Sequence, residues 1–140
     1  MTGSRVILSV SPFASDHQSV LDGAACSCTV VKAHGLSEAL LRIAEHDICI
    51  VVCERDLMPG TWLDVLEGLR ERPNFPLLIV TSRLADDRFW AEALNLGAWD
   101  VVAKPFIQRE IARSIELAWT HCSLPYPLGY LSQRTPPSAA

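Results

Sequence analysis

Four places in the chain set polar side chains directly behind short apolar runs. Ser11 and Pro12 follow Arg5-Val-Ile-Leu-Ser-Val10, and Glu54-Arg55-Asp56 follow Ile48-Cys-Ile-Val-Val-Cys53. Thr81 closes Leu77-Leu-Ile-Val-Thr81, while Lys104 and Pro105 follow Val101-Val-Ala103. Carboxylates such as Glu54 and Asp56 offer hard oxygen ligands to a divalent cation, whereas a serine hydroxyl is a weak ligand and a proline side chain offers none. Taken singly these residues are ordinary. A lysine before a proline is commonly a solvated charge, a threonine at a strand end a local cap, and Asp16 a first-turn carboxylate favoured by the helix dipole. Soft-metal chemistry has little support, because Cys26-Ser27-Cys28 has C-x-C spacing and no second Cys or His pair nearby.

The elements that must position these groups alternate along the chain. Five short β-branched and aliphatic runs, the four above and Thr29-Val-Val-Lys-Ala33, predict five strands. Between them, Leu36, Ala39, Leu40, Ile43 and Ala44, then Trp62, Val65, Leu66 and Leu69, recur at helical spacing. Ser37-Glu38 suits a helix start. A last stripe of Ile107, Ile111, Ile115 and Ala118 predicts a helix closing near His121. The runs 48–53 and 77–81 are apolar nearly throughout, as in strands covered on both faces. Strict alternation with right-handed crossovers then gives a doubly wound, five-stranded parallel sheet in a three-layer α/β/α sandwich of the flavodoxin-like kind. In that architecture ligands gather at the carboxyl ends of the strands, where the four polar stretches fall.

The 140 residues, 49% hydrophobic and 20% charged, have the size and composition of one globular domain, assigned to residues 1–122. Residues 123–140 are Pro-rich with little periodicity and are expected to form a mobile tail, with Tyr126, Leu128, Tyr130 and Leu131 available to dock. A net charge of −4 gives no electrostatic reason to bind nucleic acid or an anionic membrane. No apolar run approaches the roughly 18 residues of a membrane helix. The start, Met1-Thr2-Gly3-Ser4-Arg5, has no signal-peptide pattern, so a cytoplasmic location is expected. Five cysteines without framework spacing are expected to be reduced, with Cys49 and Cys53 as small buried hydrophobes.

Three stretches together resemble a known family. Thr29-Val-Val-Lys-Ala-His-Gly-Leu-Ser-Glu-Ala-Leu40 resembles the second strand and helix of a response-regulator receiver domain of two-component signalling, and Leu77-Leu-Ile-Val-Thr-Ser82 its fourth strand. Gly97-Ala-Trp-Asp-Val-Val-Ala-Lys-Pro-Phe106 resembles its most diagnostic stretch, and the match runs in order over residues 5 to 120. In such chemotaxis-regulator-like domains, acids after the first strand hold Mg²⁺ and an aspartate ending the third strand accepts a phosphoryl group. The resemblance gives Thr81 the role of the switch hydroxyl and Lys104, followed by Pro105, that of the phosphate-sensing lysine.

The chain departs from this pattern at three points. Ser11 and Pro12 stand where the acidic pair belongs, so Mg²⁺ binding is expected to be weak or lost. Counting from the third strand puts Glu54 at the acceptor position, whereas counting back from Met58-Pro59 puts Arg55 there. A one-residue slip turns a buried face outward, while loops absorb length changes, which favours Glu54. Asp56 is the alternative acceptor. Glu54 beside Lys104 has two readings: an ion pair that holds one signalling conformation in place of a phosphoryl group, or a simple replacement of an acceptor no longer needed. Val101 stands where the family often has an aromatic residue, with Trp99 two positions earlier on the same face if the strand reaches it.

These features lead to the expectation of a degenerate, stand-alone, non-enzymatic receiver without a cofactor that signals by binding a protein, such as a histidine kinase or an output protein. A homodimer through the fourth helix, fifth strand and fifth helix fits the family's common contact face, with Phe89, Trp90 and Trp99 as possible interface aromatics. One reading of Phe89 and Trp90 leaves at least one exposed, and the other buries both between helix and sheet. Two alternatives stay open. One is a receiver phosphorylated on Asp56 with Asp16 as an improvised metal ligand. The other is a small-molecule binder of the flavodoxin-like architecture, although Ser11-Pro12-Phe13-Ala14-Ser15 lacks phosphate-cradling glycines.

Overall fold

A computed structural model describes residues 6–24, 28–72 and 75–122. The strands are β1 (Val6–Val10), β2 (Thr29–Ala33), β3 (Ile50–Glu54), β4 (Leu77–Ser82) and β5 (Asp100–Ala103). They alternate with α1 (Ala14–Ala24), α2 (Leu36–Glu45), α3 (Trp62–Arg70), α4 (Asp87–Leu96) and α5 (Gln108–Cys122). All pairings are parallel, in the order β2-β1-β3-β4-β5, the expected doubly wound sheet.

The pleat sorts the core into two layers. Leu8, Val10, Val51, Cys53, Leu78, Val80 and Val101 pack with α2, α3 and α4. Ile7, Ile50, Val52, Ile79 and Val102 pack with Val20 and Ala24 of α1 and Ile111, Ile115 and Ala118 of α5. Alternate residues face opposite layers, and both layers are dry, which is why β3 and β4 read as continuous apolar runs. Cys53 is fully buried and desolvation pushes its thiol pKa far up, so it behaves as a hydrophobe; Cys49 is half-buried.

Local chemistry sets the helix ends, with some shifts from the sequence reading. Thr61 and Asp64 form a reciprocal capping box on α3, and the Asp86 carboxylate caps α4 by accepting from Phe89 N–H. Helix α2 starts at Leu36 behind Gly35, one residue before Ser37, and Glu38 turns back to accept from His34 N–H at 2.8 Å. Ile107 precedes α5 and is half exposed; Ser114 and Trp119 complete the buried stripe instead. Gly97 ends α4 at φ +128°, a conformation that L side chains rarely adopt, and this turn reverses the chain into β5. The Cys26 end of the C-x-C pair and the 123–140 tail lie outside the described residues.

Candidate functional site

The strand pleat brings the polar side chains to one end of one face. Beyond Ile7, Val52, Ile79 and Val102, which face α1 and α5, the next residues of the same parity are Ser9 and Ser11, Glu54, Thr81 and Lys104. The ladder carries them there: Glu54 is the last residue of β3 and pairs with Thr81, Ser11 N–H donates to Ala33 O, and Lys104 N–H donates to Ser82 O, the latter two at 3.0 Å.

Lys104 is the hub. Its side chain is 7% exposed, and its ammonium donates to Asp16 Oδ2 at 2.8 Å and pairs with Glu54 Oε1. Asp16 Oδ2 also accepts from Ser11 Oγ at 2.6 Å, and Glu54 Oε2 accepts from Asp56 N–H at 3.2 Å. The Phe13 ring lies over the ammonium, 5.0 Å from its centroid, as a cation–π cover. One cation thus ties the ends of β3 and β5 to the first turn of α1, and Ser11 joins the end of β1 to them through Asp16. The role assigned to Asp16 from sequence alone, a first-turn carboxylate serving the helix dipole, is incomplete. The 11–13 loop folds the start of α1 over the end of β1, so an acid five residues past Ser11 enters the pocket.

Glu54 and Arg55 go to opposite faces. Glu54 meets Lys104, whereas the Arg55 guanidinium lies 4.5 Å from the Phe89 centroid on the α4 side. Arg55 is therefore not in the pocket. Asp56 is exposed and forms a bridge with Thr61 in the β3–α3 loop. Thr81 is buried at the pocket floor; beside it Ser82 Oγ accepts from Leu84 N–H at 3.0 Å. Pro12 and Pro105 are exposed, and the Lys104–Pro105 bond is cis.

The expected aromatic surface is not present in this conformation. Phe89 and Trp90 are both buried, as is Trp99 at 1% exposure. Adjacent helix residues diverge by about 100°, and the apolar face of a helix can be that wide. Phe89 meets Trp62 edge-to-face at 6.2 Å and Trp90 fills the same layer. Trp99 packs in the α1/α5 layer while Val101 packs in the other, so Trp99 cannot take the place of an aromatic at 101. The alternation breaks in the turn after Gly97.

Behind Asp16 sits a buried histidine that the sequence reading passed over. His17 Nε2 is 3.0 Å from Ser11 O, which can only accept, so Nε2 carries the proton and Nδ1 accepts from Ser9 Oγ at 2.8 Å. Burial, the leading cause, lowers the His17 pKa from its ordinary 6.5; nearby His34 and Lys32 reinforce this, while Ser11 O and Asp16 oppose it. The folded state then binds fewer protons than the unfolded state just below pH 6.5, and His17 destabilises the fold as pH falls through that window. Urea melts of the wild type and His17→Gln at pH 7.5 and 5.5 are expected to show a smaller pH loss in the variant. Equal losses would remove His17 from the acid response.

The comparisons agree with this architecture. Residues 13–116 match the model of the response regulator receiver domain. Sensory transduction protein LytR of Staphylococcus saprophyticus is 30% identical over 84 residues, covering 60% of this chain and 32% of the relative. Transcriptional regulatory protein KdpE of Mycobacterium tuberculosis is 33% identical over 89 residues, covering 64% and 39%. The chain thus spans about a third of the length of these curated relatives. Among solved structures, the signal receiver domain of an HD domain-containing protein from Pseudomonas fluorescens Pf-5 aligns with TM-score 0.75 at 20% identity, over 86% of this chain and 98% of that one. Chemotaxis response regulator CheY4 of Vibrio cholerae aligns with TM-score 0.73 at 16% identity, over 83% and 99%. With the family model covering most of the chain, the chain belongs to the response regulator receiver domain family of two-component signalling.

Proposed function

We propose that this receiver acts by binding a protein partner and does not run metal-dependent phosphoryl transfer. The observation that carries the reading is the placement of the Lys104 ammonium between Asp16 and Glu54. The Mg²⁺ that the family implies wants several oxygen ligands free of competing cations. Here the pocket has two carboxylates, both bound to Lys104 and each holding a further protein donor, and Ser11 adds only a hydroxyl. This donor set does not fit the ion. Glu54 brings a permanent negative charge to Lys104, the contact that a phosphoryl group makes only transiently.

The partner is a signalling protein, either a histidine kinase or an output protein, and the binding face is the surface of α4, β5 and α5, which also serves a homodimer. A cytoplasmic location fits this role. Among the described residues no helix is long and apolar enough to cross a membrane.

Incubation of the chain with acetyl phosphate and Mg²⁺, followed by intact-mass measurement, is expected to leave the mass unchanged. Gain of one phosphoryl group would overturn the reading. Peptide mapping would then decide for Asp56, whose exposure favours it as the alternative acceptor.

A further inference from the structure

The edge of the sheet opposite Lys104 gathers thiols. Cys28 precedes β2, Cys49 precedes β3 and Cys122 ends α5, and all three are half-buried against the α1/α5 layer. The Cys122 sulfur lies 3.8 Å from the Cys49 carbonyl oxygen, which also accepts from Leu77 N–H at 3.0 Å. One cysteine thus rests on the main chain of another, 73 positions away. The His121 ring, edge-to-face against Trp99 at 5.4 Å, holds the last turn of α5 in this place. A carbonyl oxygen is about 3 Å from the Cβ of its own residue, so side-chain rotation with a small shift of the helix end brings the two sulfurs together. Register separates the third thiol from Cys49. Cys49 N–H donates to Val6 O, and Thr29 pairs with Val6 from the other side, so Cys28 and Cys49 flank β1. Two strand spacings, about 10 Å, exceed the reach of a disulfide.

We propose that Cys49 and Cys122 are a redox modification site, a dithiol that closes to a disulfide and staples the end of α5 to the start of β3. The oxidant is a small-molecule disulfide such as oxidised glutathione. The Cys49 thiolate attacks one of its sulfurs, which forms a mixed disulfide and expels one glutathione thiolate. The Cys122 thiolate then attacks the Cys49 sulfur, which forms the protein S–S bond and expels the second. Two protein thiols lose two electrons and two protons, and the oxidant leaves as two reduced thiols. The C-terminal end of a helix disfavours a thiolate, so Cys122 reacts second, when the mixed disulfide is already beside it. Cys53 takes no part, because it is fully enclosed in the other layer and burial pushes its thiol pKa far up. The bridge spans 73 positions and removes many conformations from the unfolded chain. It also keeps α5 on the base of the sheet while the pair is oxidised. In a reducing compartment such a pair is open at rest and closes under oxidative load. The site lies at the edge away from Lys104 and stands whether or not the pocket accepts a phosphoryl group.

The test equilibrates the full chain with a series of reduced-to-oxidised glutathione ratios, blocks remaining thiols with N-ethylmaleimide and maps peptides by mass without reduction. The wild type is expected to give one cross-linked peptide pair, Cys49 to Cys122, reversed by dithiothreitol. The bridged form is expected to melt about 5 °C or more above the reduced form. Cys28→Ser is expected to keep the cross-link, and Cys122→Ala to lose it and carry one glutathione on Cys49. The wild-type map reads the pairing even where a variant fails to fold. Glutathione adducts without a cross-link, a cross-link that includes Cys26 or Cys28, a bridge between two chains, or a bridged form that melts no higher than the reduced one would each overturn the staple.

Discussion

Lys104→Met is expected to lower the stability of the domain by about 3–5 kcal/mol, read as the shift in urea unfolding at constant slope. The size follows from burial. The lysine side chain is 7% exposed and its two partners 10% and 7%, so none of the three charges is well solvated. Removing the cation leaves Asp16 and Glu54 as two enclosed like charges, and desolvation plus repulsion outweighs the apolar gain from methionine. Adding Glu54→Gln to Lys104→Met is expected to recover roughly half of the loss, because a neutral amide relieves the repulsion while Asp16 keeps its bond from Ser11. A loss under about 1 kcal/mol in the single variant would show that the trio behaves as a surface ion pair and that the pocket is not locked.

Trp99→Ala is expected to cost a similar amount, about 3–5 kcal/mol, and to leave partner affinity per folded molecule unchanged. Trp99 is the largest fully buried side chain, enclosed with Ile111, Ile115 and Trp119 and set edge-to-face against His121 at 5.4 Å. Its deletion opens a cavity between the sheet and the α1/α5 layer, and α5 cannot collapse into it while β5 holds the helix through Ser114 Oγ donating to Asp100 Oδ2 at 2.6 Å. Calorimetry or urea melts give the stability, and titration of the captured partner with the folded fraction accounted for gives the affinity. Weakened binding with near-normal stability would return Trp99 to the surface role suggested by its sequence position.

The fold was legible because its strands obey strong local rules. The runs at 48–53 and 77–81 are apolar on both parities, which only a sheet covered on both faces accommodates, and the helical stripes at Trp62-Val65-Leu66-Leu69 and Ile111-Ile115-Ala118 match the buried faces of α3 and α5. The polar residues that follow the strands were legible too, because a parallel sheet places every strand end at the same edge. Period two then favoured Glu54 over Arg55, since extending β3 by one residue keeps its inward face inward.

Tertiary structure decided what depends on distance through space. Asp16 and Lys104 are 88 positions apart, and nothing local to either announces the contact that the fold of the 11–13 loop creates. The fate of Phe89 and Trp90 turned on the width of the groove beneath α4, which is set by Trp62 from another helix and Arg55 from a strand end. Trp99 changed faces because the turn at Gly97 breaks the strand period just before β5. The sequence alone determined the order of the elements and the edge where the polar groups meet, since both follow from local periodicity. Which carboxylates hold Lys104, and which aromatics are hidden, required packing to be known, because a loop's path and a groove's width belong to no single segment.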